Sequence, residues 1–240
     1  MKLTAKIEKL ITNDWHSLLP KLSIYKPRHL LRRAGPLLVG VCLDRDSGGD
    51  RYKPCFHCHF LGKEFPVVSL TLCSQLRSAA GGPDYVEVKY HREKFEDAAR
   101  RLHAQSPLPL DDSPIELGAV VEAYHLHMTT PLGSRQRAIL SSDVIGLLVL
   151  CDQSEAAEAE LERTLREENE SIFQTFGGKN EFREKMIRCI NDPAKLTKIV
   201  ELQIQELDVA DICHSMINCE MPALRRSRSE VDQEKGTGGN

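Results

Sequence analysis

The chain has 240 residues, 41% apolar and 28% charged, with a net charge of −3. That is enough apolar material for one large domain or two small ones, and it lacks the basic excess that makes nucleic acid a natural partner. No continuous apolar run approaches the ~20 residues that span a bilayer. The opening MKLTAKIEKLI alternates charged and apolar residues and offers no uninterrupted apolar stretch for a secretory signal. A cytoplasmic protein is expected, with its eight cysteines as thiols.

In chain order, Leu3, Ile7, Leu10, Ile11 and Trp15 are spaced for one face of a helix over 3–18. The basic stretch from Tyr25 to Arg33 reads as irregular or briefly helical. The period then changes. Segments 36–43, 52–61, 67–73 and 85–90 are short, rich in β-branched or aromatic residues, and separated by Gly, Asp and Pro. They predict an antiparallel meander of about four strands. A helix through Phe95 and Leu102 follows, then a proline-bearing linker over 106–114.

Further helices are expected over 117–128, 142–151, 154–169 and 180–191. Ser142 and Ser154 are read as N-caps of two of them. Asp192-Pro193 is a cap-plus-first-turn signal for a last helix carrying Leu196, Val200, Ile204 and Leu207. Strands followed by helices argue an α+β fold. The regions are 1–105, with the sheet and flanking helices, and 115–220, all-helical and able to pack as one unit with the first. A tail over 224–240, charged and Gly-rich, is expected to be disordered.

The densest chemistry is PCFHCHF, residues 54–60. Cys55-Phe-His-Cys58-His59 has the spacing of a c-type haem attachment site, but a cytosolic chain is out of place for that reaction. On a strand, Phe56, Cys58 and Phe60 share a core face, and Cys55, His57 and His59 share the other. His57 and His59, followed by Glu64, resemble the first metal motif of the cupin family over eight residues. That resemblance implies a metal such as zinc or iron held by His57, His59 and Glu64. The flanking glycines are out of place, no second His-bearing motif follows, and four strands are too few for a double-sheet jelly roll. His91, on the polar face of the last predicted strand, is a candidate third ligand in place of Glu64.

Other clusters read more simply. His125-Leu-His127 near a helix end sends its rings about 200° apart. Cys213, His214 and Cys219 sit in apolar company without a C-x-x-C partner. DRDSGGD, with Asp44, Asp46 and Asp50, reads as a solvated hairpin turn, since a calcium loop needs a carboxylate where Cys55 stands. No phosphate-cradling loop, nucleophile elbow or zinc-protease helix motif is present.

Charge is uneven. Residues 1–35 carry eight Lys and Arg against Glu8 and Asp14; residues 152–170 carry eight Asp and Glu against Arg163 and Arg166. Such blocks face each other, dock a partner, or form solvated faces. RRSRS, at 225–229, has the look of a kinase site or an anion contact. The expected function is a non-enzymatic cytosolic interaction or regulatory protein, with an unidentified protein partner docking on Glu155, Glu158 and Glu162 and no resident cofactor. The alternative is a metal-binding protein or metal-dependent enzyme built on the His-rich strand.

Overall fold

The computed structural model describes residues 2–220. The segment 224–240 and its RRSRS run lie outside the described residues. Helix α1 (Ala5–Leu18) opens on Thr4, whose hydroxyl accepts the Ile7 N–H, and it buries Ile11, Thr12 and Trp15.

Two strands follow where irregular chain was expected: β1 (Ser23–Lys26) and β2 (His29–Ala34). The basic residues disguise them. Arg32 is buried and its guanidinium donates to the carbonyls of Pro109 and Ser113, while Arg28 pairs with Glu8. Charges satisfied in this way no longer prevent Leu30, Leu31 and Ala34 from being buried.

Strands β3 (Leu37–Arg45) and β4 (Arg51–Phe60) form the long central hairpin, in register from Leu37 opposite Phe60 to Arg45 opposite Tyr52. DRDSGGD is its turn, with Gly49 at φ 68° and Arg51 bonded to Asp46. Strand β5 (Leu72–Gln75) flanks β4, so the sheet runs β1-β2-β3-β4-β5. The last predicted strand shrinks to β6 (Val86–Glu87), which also pairs with β4. A 3-10 turn over Val88–Tyr90 then leads directly into α2 (His91–Gln105), so His91 is the first residue of a helix.

A two-residue strand, β7 (Ile115–Glu116), precedes α3 (Leu117–Met128), α4 (Arg137–Leu150), α5 (Ser154–Glu167), α6 (Lys179–Asn191) and α7 (Pro193–Glu206). Asp192 caps α7 by accepting the Lys195 N–H, with Pro193 in the first turn. The two serine caps are corrected. α4 begins five residues before Ser142, whose hydroxyl turns back onto the Ile139 carbonyl, and Ser154 already lies inside α5. After α7 the chain returns to the sheet. β8 (His214–Ser215) runs parallel to β2, and β9 (Ile217–Asn218) runs parallel to β7.

Both faces of the sheet are covered. On the inner face Val39, Val41, Phe56, Cys58 and Phe60 join a core with α1–α6. On the outer face Leu31 and Leu38 pack with Leu207, Val209 and Ile212, flanked by Val200 and Ile204 of α7. Phe60 sits against two glycines: a Cβ at Gly62 would lie 2.2 Å from its ring, and one at Gly146 2.7 Å. Only at such small residues do β4 and α4 approach this closely.

Candidate functional site

The alternation read from PCFHCHF is present: Phe56, Cys58 and Phe60 face the inner core, and Cys55, His57 and His59 the outer side. Register adds neighbours to that outer side. His29 lies opposite Cys42, Cys42 opposite Cys55, and His57 opposite Cys73. Three histidines and three thiols therefore share one stretch of sheet.

His57 and His59 are both buried. The His57 Nε2 meets His29 Nε2 at 2.6 Å. The rings meet over β3, where Gly40, opposite His57, places no side chain between them. One imidazole donates and the other accepts, so the two cannot both be protonated. His59 Nδ1 accepts the backbone N–H of Ser69 at 3.1 Å, which leaves its proton on Nε2. That Nε2 and the His57 Nδ1 are buried without a hydrogen-bond partner among the described residues. Burial lowers all three pKa values. His29 and His59 fall from 6.5 to about 4, assisted by the charges of Lys26 at His29 and Lys63 at His59. His57 lies well below its ordinary value, through burial and its histidine neighbours.

The remaining metal candidates lie elsewhere. His91 is on the opposite side of the sheet, because its Nδ1 meets the hydroxyl of the inward-facing Tyr52 at 2.8 Å. Its Nε2 donates to Asp14 at 3.0 Å. The expectation that His91 lies on the polar face of the last strand, from where it could approach His57 and His59, is thus overturned by the helix that begins there. Glu64 is exposed in the turn after β4. Among the described residues no three His, Cys, Asp or Glu side chains converge to hold an ion.

Helix α5 divides its acids. Glu160 is turned inward, bonded by Arg163 at 2.6 Å and by His125 at 3.2 Å. Burial alone would raise its carboxyl, but these two partners hold it below the ordinary value. Glu155, Glu158 and Glu162 form the exposed stripe, three and four residues apart. Glu162 pairs with Arg183 of α6, whereas Glu155 and Glu158 make no ion pair among the described residues. No ion pair there joins the acidic helix to the basic N-terminal block either. Lys21 pairs with Asp112 and Arg28 with Glu8.

One polar constellation escaped sequence reasoning. Asp143, fully enclosed in the apolar helix α4, pairs with Lys63, which also donates to the Ile139 carbonyl at 3.0 Å. Desolvation raises the Asp143 carboxyl, opposed by Lys63 and the neighbouring Tyr124 hydroxyl. The sequence signal was a lone acid inside SSDVIGLLVL, a run too apolar to leave a charge unpaired. Beside Lys63 a cavity of about 600 Å³ opens between α6, α7 and the end of β4.

The Ser142 hydroxyl is spent on the Ile139 carbonyl, and the buried histidines bond to each other and to Ser69. No helix among the described residues is long and apolar enough to cross a membrane. In comparisons with known proteins, no family model, no curated protein and no solved structure matches this chain.

Proposed function

We propose that this chain is a non-enzymatic cytosolic interaction or regulatory protein that docks a basic protein surface on the exposed stripe of α5. The observation that carries the reading is the sorting of acids on that helix. Glu160 is turned in and neutralised, while Glu155 and Glu158 stay exposed without an ion-pair partner among the described residues. Unneutralised like charges on a helix disfavour one another slightly, a cost that a basic partner would relieve.

The test uses the full chain with Glu155, Glu158 and Glu162 changed to Lys. A control reverses Glu93 and Glu96, also exposed but on α2. A defined partner, recovered at low ionic strength and identified by mass spectrometry, should be retained by the wild type and the control and lost by the triple variant. Its affinity should also fall steeply as salt rises toward 0.5 M. Equal retention by the triple variant would remove α5 as the docking face.

A further inference from the structure

We infer that the cavity between α6 and α7 is a binding site for a small amphiphilic anion, an apolar chain ending in a carboxylate or a phosphate monoester. At about 600 Å³ it falls within the size range of small-molecule sites. Its wall is apolar: Phe60, Phe176, Met186, Leu196 and Ile199 line it. Phe60 is held in place by the close approach of Gly62 and Gly146 on either side, so this part of the wall is preformed.

The charged groups of the lining are sorted. Lys63 is committed to the buried Asp143 and contributes no net charge. Lys185, Arg188 and Lys195 also line the cavity, and none makes an ion pair among the described residues. Arg188 uses its Nε on the Glu184 carbonyl, which leaves its terminal nitrogens available. Of the two acids present, Asp192 accepts the Lys195 backbone N–H as the cap of α7, and Glu64 is exposed. Cations therefore exceed acids by one at the lining, in a chain whose net charge is −3. An apolar wall with a cationic rim matches a ligand that is greasy at one end and anionic at the other. It discriminates against the same chain with a cationic head.

The experiment is calorimetric titration of the full chain with decanoate, decyl phosphate, decyltrimethylammonium and inorganic phosphate. Decanoate or decyl phosphate should bind at least about tenfold more tightly than decyltrimethylammonium, and inorganic phosphate should bind much more weakly than either. The ratio of the two anionic chains tells which head group is preferred. Two variants locate the site. Arg188→Glu with Lys195→Glu reverses exposed charges and should weaken the anionic chains about tenfold or more. Ile199→Trp fills the wall without changing charge and should weaken every decyl probe. Circular dichroism of each variant checks the fold.

Equal affinity for the anionic and cationic heads would overturn the inference, as would binding unchanged in both variants. Failure of every probe to bind at millimolar concentration would overturn it too, leaving the groove to a macromolecular partner or to none. Reversal of Glu155, Glu158 and Glu162 should leave these titrations unchanged, so the two proposals fail separately.

Discussion

Acidification should destabilise this fold well above the pH at which ordinary carboxylates protonate. His29 and His59 titrate near 6.5 when unfolded and at about 4 when folded. The unfolded chain therefore binds more protons between these values, and stability falls as pH falls. The contribution is fully present above about pH 6.5 and is lost progressively down to about pH 4. At pH 5 the linkage relation gives about 2 kcal/mol for each histidine, and about 3 kcal/mol for both once the partial exposure of His29 is discounted. His57 shifts the same way. Against a typical total of about 5–15 kcal/mol this is a large fraction. Asp143, whose carboxyl is raised by burial, works in the opposite direction, so the histidines must be isolated by mutation. Urea midpoints from circular dichroism at pH 8, 7, 6 and 5 should fall steadily for the wild type. The His29→Gln, His59→Gln double variant should show a visibly flatter profile. A wild-type midpoint that stays level from pH 7 to 5, or an equal slope in the double variant, would refute the account of this face as a set of buried neutral imidazoles.

Two substitutions probe the buried polar groups further. Tyr52→Phe removes the hydroxyl that accepts the Trp15 Nε1–H at 3.1 Å and donates to His91 Nδ1. Two groups are left without partners, a cost of about 1–3 kcal/mol, read as a fall in Tm of about 2–4 °C per kcal/mol; an unchanged Tm would mean the chain Trp15–Tyr52–His91–Asp14 contributes nothing. Lys63→Met leaves the Asp143 charge buried and unpaired and should cost about 3–5 kcal/mol, whereas Lys63→Met with Asp143→Asn should recover a good part of it. A double variant no more stable than the single one would contradict an ion pair at this position.

The helices were legible because their signals are local. Apolar spacing marks 117–128 unaided, and Asp192-Pro193 announces α7 at the residue where it begins. Strand alternation was equally local in PCFHCHF, so the facing of His57 against Phe56 could be read directly. Signals failed where a distant partner decides. Arg32 and Arg33 make β2 look like a polar surface, and only carbonyls some 80 positions later explain why Arg32 is buried there. Tyr85 to Tyr90 alternates well enough for a strand, yet only Val86 and Glu87 pair, and His91 enters a helix whose first residue bonds to Tyr52.

The same limit decided the reading of the histidines themselves. Parity placed His57 and His59 away from the main core, and an exposed face would have made them free to bind a ligand. Whether that face is wet depends on α7 and on Leu207, Val209 and Ile212, about 150 residues further along, which form a second apolar cluster over the sheet. Once covered, an imidazole is held neutral by desolvation and must find partners in the protein. His57 finds His29 and His59 finds Ser69, with one ring nitrogen of each left over. A pattern rich in ligand atoms is thereby turned into a polar seam between two apolar layers. The groups best placed to meet a ligand are instead the rim cations of the α6–α7 cavity, which the local pattern never singled out.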